Sequence, residues 1–303
     1  MNEKTVCVVM STYNGEKYLR EQLDSILEQA DVKVRIFVRD DGSTDSTIDI
    51  LESYKKDGLI SYYKGENKGP KYSFLEALLN SPKCDYYAFA DQDDVWESSK
   101  LNVALGKLVE TENSLKPSLY CGSTKLVDAN LKPLSIKNGF MEPHEFLCGE
   151  RRSVAGCTMV FNNALKQLIC QYEPKVFPMH DAWIQNVSMA IDSYIVYDSI
   201  PYILYRQHGN NAVGGRKGIL ASVKRRINYL KKQGKNFQTK MYLEILQNYK
   251  GYMPKDKIER CFRICSYKES IKNKFKVFSD KKFWAGRFHW KIETMILILF
   301  NWF

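Results

Sequence analysis

The sequence has little of what marks a secreted, membrane-spanning or disordered chain. Its eight cysteines are scattered and form no Cys-x-x-Cys pair, so we interpret them as reduced residues of a cytosolic protein. No segment reaches the roughly 18 consecutive apolar residues of a membrane-spanning helix. We find no secretory leader, internal repeat or low-complexity tract. These absences favour a globular cytosolic protein, or one that lies on a membrane surface.

Positive charge is concentrated at one end of the 303 residues. Residues 1–214 hold 23 Lys and Arg against 29 Asp and Glu, whereas residues 215–303 hold 22 against 6. Beyond Gly214 and Gly215 the pattern also changes to basic amphipathic segments, so we place a domain boundary there. The net charges of −6 and +16 predict an acidic part, 1–214, and a basic helical part, 215–303, that has an anionic partner.

The first third of the chain alternates apolar strand-like runs with segments of helical periodicity. The runs end at Met10, Val38, Tyr63 and Ala90. This alternation predicts right-handed βαβ units and a mostly parallel, Rossmann-like α/β sheet flanked by helices, with ligands beyond the carboxyl ends of its strands. Further helices are predicted over 97–113, 182–191, 220–232, 239–249 and 255–271. Residues 194–205 indicate two extended pieces interrupted by Pro201.

Polar clusters follow three of these strands, at residues 11–15, 40–43 and 91–94. Neighbouring parallel strands end at one edge of a sheet, so we expect the clusters to converge on one crevice. Asp91 and Asp93 would project from the same side of their strand end. A divalent cation such as Mg²⁺ or Mn²⁺, bridged to a diphosphate, would offset their repulsion. Alone, residues 40–43 would indicate a turn and helix cap, but three clusters in register favour a site for a metal-bound nucleotide diphosphate.

The chain resembles glycosyltransferase family 2, the inverting enzymes of GT-A fold, in three motifs: Ser11-Thr12-Tyr13-Asn14, Asp40-Asp41-Gly42-Ser43-Thr44-Asp45, and Asp91-Gln92-Asp93-Asp94 with Trp96. The resemblance covers residues 5–214, and the last motif is closest to bacterial rhamnosyltransferase-like members. It implies that the nucleobase and ribose are held by Ser11, Tyr13 and Asp41, with Asp40 shaping the turn or sharing that work. It also implies that Asp93 binds Mn²⁺ or Mg²⁺ directly, while Asp91 contacts the ribose or the donor sugar.

Two later motifs extend the resemblance. Asp181, within Met179–Trp183, lies where the family carries its general base, a carboxylate that deprotonates the attacking acceptor hydroxyl. His208, within Tyr205–Asn211, would supply another metal ligand, and Arg206 would contact phosphate. From context alone, Asp181 is interpreted equally well as a helix cap or as a functional carboxylate, whereas His208 would indicate a solvated loop residue.

Four further positions keep two interpretations. Gly156, Cys157 and Thr158 match a family segment on the acceptor side, where small residues would let a sugar approach, or they belong to a tightly packed core strand. Asp94 either supports the carboxylate loop or caps the helix expected from residue 97.

Residues 283–303 combine aromatic rings with an aliphatic core, Met295–Leu299. The six rings that we expect at a membrane surface are Trp284, Phe288, Trp290, Phe300, Trp302 and Phe303. This composition, behind basic helices, is typical of a segment in the bilayer interface. It would place the protein peripherally on the inner face of the cell membrane. The alternative is a helix packed on the catalytic core or against a second copy in a homo-oligomer.

The sequence therefore predicts an inverting, metal-dependent glycosyltransferase. Its donor would be a dTDP- or UDP-linked sugar, with dTDP-L-rhamnose implied by the rhamnosyltransferase resemblance, and its acceptor a saccharide or lipid-linked glycan of bacterial cell-wall or capsule polysaccharide. A nucleotidyltransferase would share the carboxylates but would carry a Gly-rich basic phosphate loop, which Ser11–Gly15 is not. A nucleic-acid-binding module could use the basic tail, but the acidic front and the absence of an RNA or DNA motif argue against it.

Overall fold

The structure is a computed structural model that describes residues 4–109, 116–134, 146–147, 154–207, 228, 231–284 and 288–303. The strands are β1 (Thr5–Thr12), β2 (Lys33–Asp40), β3 (Ile60–Lys64), β4 (Tyr86–Ala90), β5 (Val95–Trp96), β6 (Ser118–Val127), β7 (Met159–Asn162) and β8 (Tyr194–Arg206). The helices are α1 (Leu19–Leu27), α2 (Thr47–Lys56), α3 (Pro70–Asn80), α4 (Lys100–Val109), α5 (Asn163–Ile169), α6 (His180–Ala190), α7 (Phe237–Tyr249), α8 (Lys255–Cys265), α9 (Ile271–Phe278) and α10 (Phe288–Leu299).

The strands form one eight-stranded sheet in the order β3-β2-β1-β4-β7-β6-β8-β5. Strands β1 to β4 run parallel, because a helix crosses back over the sheet between each strand and the next. Strand β7 is antiparallel to both β4 and β6, β8 is parallel to β6, and β5 is antiparallel to β8. This architecture confirms the predicted α/β fold.

Strand β1 shows how the sequence builds the layers on both faces of the sheet. Val6, Val8 and Met10 point into a buried cluster shared with α1, α2 and α4, whereas Cys7 and Val9 point into a second cluster shared with α3 and α6. All five side chains are fully buried. The ends of such a strand, rather than its faces, are therefore where polar residues reach solvent.

The basic C-terminal helices pack on the second of these clusters. Met241 and Tyr249 of α7 share it with Phe89 and Phe161 of the sheet. The predicted helical C-terminal region is therefore present, while the boundary near residue 215 stays a prediction. Within the described ranges, no helix has both the length and the apolar character needed to cross a bilayer.

A buried carboxylate ties this region to the segment before α6. Glu244 of α7 accepts hydrogen bonds from the Tyr172 hydroxyl at 2.7 Å and from the backbone N–H groups of Lys175 and Val176 at 2.6 and 2.9 Å. These contacts fix the segment that leads into α6.

Several elements differ from their predicted limits. The helix expected from residue 97 begins at Lys100, and the one expected over 255–271 is two helices, because the Ser270 side chain accepts the N–H of Asn273 and starts α9 anew. Pro201 does not interrupt β8, because shifts in the β6–β8 register near its partner Ser123 accommodate a residue that has no N–H. Most of the helix expected over 220–232 lies outside the described residues.

Candidate active site

The polar clusters after β1, β2 and β4 lie side by side at one edge of the sheet. Thr12 Oγ1 donates a hydrogen bond to Asp40 Oδ1 at 3.1 Å, which joins the ends of β1 and β2. The Tyr13 N–H donates to Gln92 Oε1 at 2.8 Å, and Gln92 Nε2 donates back to the Tyr13 carbonyl at 3.1 Å. The structure thus brings together the three clusters that the sequence predicted to converge.

The first two loops are also held to each other. Asn14 adopts a left-handed conformation, with φ of 47°; its N–H donates to Ser43 Oγ and its Oδ1 accepts from the Thr44 N–H, both at 2.9 Å. The Gly15 N–H donates to Thr47 Oγ1 at 2.7 Å. The crevice edge is therefore preformed by short polar contacts.

Asp40 organises the turn that follows β2. It is 1% exposed and accepts hydrogen bonds from the N–H groups of Gly42 and Ser43 at 3.1 and 2.9 Å and from Ser43 Oγ at 2.5 Å. Gly42 has φ of 84°, which glycine adopts at no steric cost. Of the two roles considered for Asp40, these contacts match the shaping of the turn.

Asp41 is equally buried but faces the next loop. It pairs with Arg39 at 2.5 Å and accepts the N–H groups of Lys68 and Gly69 at 2.9 and 2.8 Å, just before α3 begins. Asp41 therefore anchors the start of α3, and its contact with a nucleobase stays a prediction.

Ser11 and Tyr13 lie at the end of β1. Ser11 Oγ is 2.6 Å from Ser73 Oγ, which also accepts a hydrogen bond from Arg39 at 2.9 Å. The Tyr13 side chain is 47% exposed and offers a ring face at the crevice.

The carboxylates after β4 repel one another in a poorly solvated position. Burial, assisted by the charges of Asp93 and Asp181, raises the pKa of Asp91 to about 7. Burial and the charges of Asp91 and Asp93 hold the pKa of Asp94 well above its usual range. All four carboxyl groups therefore act on one small volume, where a divalent cation would offset their repulsion.

The donor atoms fit a hard divalent ion. A ligand oxygen of Asp91, one of Asp94 and the thiol of Cys157 lie within 4.8 Å of one another. Burial and the charges of Asp94 and Asp91 raise the pKa of Cys157, so its thiol is protonated and a poor ligand for Mg²⁺ or Mn²⁺. The carboxylate oxygens suit both ions, and Asp94 Oδ2 is buried without a hydrogen-bond partner among the described residues.

Asp94 supports the carboxylate loop and does not cap a helix. Its Oδ1 accepts the N–H of Arg206 at 3.1 Å, which joins the loop to the end of β8. The following helix begins only at Lys100. His208, two residues beyond Arg206, lies outside the described residues, so its role as a metal ligand stays a prediction.

The guanidinium of Arg206 is occupied by protein groups. Its Nε and Nη1 donate to the carbonyls of Asp93 and Ala129 at 2.8 and 2.6 Å. Its Nη2 pairs with Glu21 at 2.5 Å, and the group lies 4.4 Å from the centre of the Tyr18 ring. Arg206 therefore fixes the carboxylate loop, and its contact with phosphate stays a prediction that would require an exchange of partners.

Asp181 lies in the first turn of α6, beside the Gly156–Thr158 turn. Its Oδ1 accepts the N–H of Ala182 at 2.5 Å, and the N-terminal end of a helix stabilises a negative charge. Met179 occupies the capping position, so Asp181 is not the cap. A Cβ atom added at Gly156 would lie 3.5 Å from Asp181 Cβ, so the turn Gly156–Thr158 lies directly against this carboxylate.

Two buried residues near the site had no assigned role. His180 stacks on Phe74 with ring centres 4.2 Å apart, and both of its ring nitrogens lack a hydrogen-bond partner among the described residues. Burial lowers its pKa to about 3, so the imidazole is neutral. Lys100 lies 3.1 Å from the Trp96 ring centre, and burial lowers its pKa to about 7. No spacing pattern in the sequence distinguishes either residue from an ordinary helical position.

The α/β fold gathers the carboxylates at one edge of the sheet, and sequence comparison identifies the family. The sequence model described as "Glycosyl transferase family 2" matches residues 7–169. This is more than half of the chain, which therefore belongs to glycosyltransferase family 2.

Two relatives of the chain are named as glycosyltransferases. It is 29% identical over 236 residues to the dTDP-rhamnosyl transferase RfbG of Shigella flexneri, covering 71% of this chain and 77% of that protein. It is 34% identical over 107 residues to the putative teichuronic acid biosynthesis glycosyltransferase TuaG of Bacillus subtilis (strain 168), covering 35% of this chain and 42% of that protein. The chain thus spans most of the first relative and less than half of the second.

Solved structures share the GT-A fold. S. aureus TarS 1–349 in complex with UDP-GlcNAc superposes with a TM-score of 0.59 at 17% identity, covering 99% of this chain and 81% of that one. The mannosyltransferase PcManGT from Pyrobaculum calidifontis, in complex with GDP-Man and Mn²⁺, gives 0.51 at 14% identity, with coverage of 99% and 87%. At these identities the likeness shows the fold alone.

Proposed function

We propose that this family 2 glycosyltransferase is an inverting, metal-dependent enzyme that moves one sugar from a nucleotide-diphosphate donor to a saccharide of a bacterial surface polysaccharide. One observation carries the proposal. Asp181 lies against the Gly156–Thr158 turn and close enough to Asp91 that its charge contributes to the raised pKa of that residue. This proximity supports a base for the acceptor and carboxylates for the donor around one crevice.

The donor half uses the ends of β1, β2 and β4. The exposed ring of Tyr13 stacks on the nucleobase, while Ser11 and Asp41 bind base and ribose. Asp93, with His208, would hold Mn²⁺ or Mg²⁺, which when bound stabilises the negative charge of the diphosphate leaving group, while Asp91 contacts the ribose or the donor sugar. Asp94 and Arg206 keep the carboxylate loop in place through their contacts with β8.

The acceptor half uses α6 and the Gly156–Thr158 turn. Asp181 accepts the proton of the acceptor hydroxyl as its oxygen bonds to the anomeric carbon, and the bond from that carbon to the diphosphate oxygen breaks. A single displacement inverts the anomeric centre and releases a nucleoside diphosphate. The neighbouring His180 does not compete for the proton, because burial disfavours its protonated form and lowers its pKa to about 3.

The donor best supported is dTDP-L-rhamnose, from the rhamnosyltransferase-like motif and the 29% identity to RfbG. The alternative donor class is a UDP-linked hexose. A lipid-linked glycan acceptor would place the enzyme in the cytoplasm on the inner face of the membrane.

A panel of dTDP-rhamnose, UDP-glucose, UDP-GlcNAc and GDP-mannose tests the proposal by calorimetry with and without Mn²⁺. We expect dTDP-rhamnose to bind most tightly and only with the ion. Failure of every donor to show metal-dependent binding would contradict both the donor site and its metal.

The variant Asp93→Ala tests the metal site directly. Removing this carboxylate should abolish the difference in donor affinity between Mn²⁺ and chelator, because fewer oxygens remain to bind the ion. Asp57→Ala, at the exposed end of α2, is the matched control and should keep the wild-type difference. Unchanged metal-dependent binding in Asp93→Ala would remove this residue from the metal site.

A further inference from the structure

The last helix of the chain leaves one apolar side uncovered. The outward residues Ile292, Met295, Ile296 and Leu299 of α10 are 41 to 52% exposed, and Phe300 directly after the helix is 73% exposed. Their spacing of three and four residues places them on one side of the helix. The opposite side is buried and includes Leu297 and Ile298. Helix α10 is therefore apolar on both sides, but only one side packs against the core.

Helix α9 extends this uncovered surface. Ile271 and Phe275 are 74% and 66% exposed, and they lie one turn apart on the same side of α9. Lys274 Nζ donates to the Leu299 carbonyl at 3.2 Å, which places this turn of α9 beside the end of α10. We call the outward side of α10, with Phe300, Ile271 and Phe275, the terminal apolar face.

Only some of the aromatic rings that we expected to contact a membrane are exposed in the structure. Phe303 is 1% exposed within the core, where its ring packs on that of Phe283, a fully buried residue outside the expected set. Trp284 stacks on Phe278 with an interplanar angle of 8°. The fold therefore buries several rings of the tail, and yet it leaves the terminal apolar face open, although large exposed apolar groups are costly in water.

Positive charge lies beside the terminal apolar face, on α9. Helix α9 carries Lys272, Lys274 and Lys276 and no acidic residue, and residues 215–303 have a net charge of +16. A surface that is apolar in the middle and cationic at its edge complements a layer of anionic headgroups above acyl chains.

We propose that the terminal apolar face docks on the surface of an anionic phospholipid bilayer, with α9 and α10 lying in the plane of the interface. The apolar side chains enter the headgroup boundary and the lysines contact lipid phosphates. The proposal does not depend on the sugar donor, so its failure would leave the proposed reaction untouched.

Vesicle cosedimentation of the full chain tests the docking. We expect binding to vesicles of phosphatidylcholine mixed with phosphatidylglycerol, and much weaker binding to phosphatidylcholine alone. The triple variant Phe275→Ser, Ile296→Ser and Phe300→Ser should lower the partition coefficient at least about tenfold. Wild-type partitioning of this variant would overturn the proposal.

A matched triple variant controls for the general loss of apolar surface. Leu79, Val109 and Ile200 are 53 to 56% exposed and belong to α3, α4 and β8. Their replacement by Ser should leave vesicle binding unchanged. An equal loss of binding in both triples would overturn the assignment to the terminal apolar face.

A charge variant keeps the test independent of apolar packing. Lys272→Gln with Lys276→Gln should reduce binding to the mixed vesicles and weaken its dependence on salt, because both side chains are exposed and contact headgroups. Salt-independent binding of the wild type would contradict the electrostatic half of the proposal.

Light scattering after size exclusion distinguishes a second copy of the chain as the occupant. The docking proposal expects the same mass for the wild type and the apolar triple variant. A dimeric wild type and a monomeric triple variant that bind vesicles equally would overturn it and assign the face to self-association.

Discussion

Asp181 is the single residue on which the proposed chemistry depends. Asp181→Asn keeps the size of the side chain and its acceptor oxygen but removes the negative charge that takes up the proton. We expect donor affinity to stay within about twofold of wild type, since the change lies on the acceptor side, and sugar transfer to fall about 10²- to 10⁴-fold. Calorimetry with the donor and a transfer assay with the acceptor measure the two effects separately.

Asp192→Asn is the control for this prediction. Asp192 lies just beyond the end of the same helix and forms a surface ion pair with Lys257 at 3.0 Å, with 67% of its side chain exposed. Its replacement should leave transfer unchanged. Wild-type turnover by Asp181→Asn would remove Asp181 as the base.

Gly156 is the residue that allows the Gly156–Thr158 turn to approach α6. A Cβ atom there would lie 2.6 Å from His180 Nε2, and His180 cannot retreat because its ring is held by Phe74 and Phe89 at 4.2 and 4.8 Å. Gly156→Ala should therefore lower the free energy of unfolding by about 1–3 kcal/mol, measured by urea denaturation. It should also reduce transfer more than donor binding, since the strain reaches Asp181.

Gly106→Ala should change the free energy of unfolding in the opposite direction and serves as the control. Apart from its chain neighbours and the backbone of its own helix, no atom of the described residues lies within 4 Å of a Cβ added at Gly106 in α4. Alanine should raise the free energy of unfolding by up to about 1 kcal/mol through its higher helix propensity. A Gly156→Ala variant as stable and active as wild type would show that the turn has room to spare.

At this scale the sequence predicted which residues meet, but not all of their partners. The convergence of Asp40, Asp91 and Tyr13 follows from strand order, because parallel strands end at one edge. Contacts such as Arg206 with the carbonyl of Asp93, 113 residues away, depend on how the last strand returns to the sheet. No local pattern encodes that return, so Arg206 was expected at phosphate and not in the loop.

Among the elements, the junction of β2 and α3 depends on one buried ion pair. Arg39 is fully buried, pairs with Asp41 at 2.5 Å and Glu76 at 3.3 Å, and donates to the carbonyl of Glu66 at 2.9 Å. Arg39→Met would leave Asp41 buried without its cation. We expect the free energy of unfolding to fall by about 3–5 kcal/mol in urea denaturation.

Glu76, the other acidic partner of Arg39, has a second cationic partner that provides a control for this junction. Lys68 pairs with Glu76 at 2.7 Å, but 49% of the Lys68 side chain is exposed. Lys68→Met should cost at most about 1 kcal/mol, because a solvated pair contributes little. Equal costs for the two variants would show that the Arg39 contacts do not stabilise the junction more than a surface pair does.

Element types followed from periodicity, whereas element limits depended on side-chain contacts. The helix predicted over 239–249 is present as Phe237–Tyr249. The split between α8 and α9 depends on Ser270, whose role as a cap rather than a helical residue cannot be distinguished within a continuous amphipathic pattern. Pro201 remains inside a strand because the register of a partner more than seventy residues away shifts to admit it.

In the whole molecule, charge and packing divide the chain differently. The net charge changes sign near residue 215, yet one buried cluster contains Phe89 of the sheet, Tyr242 of α7 and Phe303 at the end of the chain. Charge is a property of the surface, so its distribution along the sequence does not reveal which segments share a core. The apolar residues of the tail had two interpretations for the same reason: one side of α10 is core and the other is the terminal apolar face.

A shared core predicts that the catalytic part and the basic helices unfold together. Ile298 of α10 is fully buried in that cluster, so Ile298→Ala should cost about 2–5 kcal/mol. Because the cluster continues to the sheet, the urea midpoints of far-UV circular dichroism, tryptophan fluorescence and donor binding should all fall together. Ile292→Ala, on the exposed side of the same helix, should change stability by at most about 0.5 kcal/mol. The opposite outcome would be a lower midpoint for the helical signal alone, while donor binding is lost at the same urea concentration as in the wild type. It would show that the C-terminal helices are a separate folding unit. The boundary near residue 215 would then also be a boundary in stability.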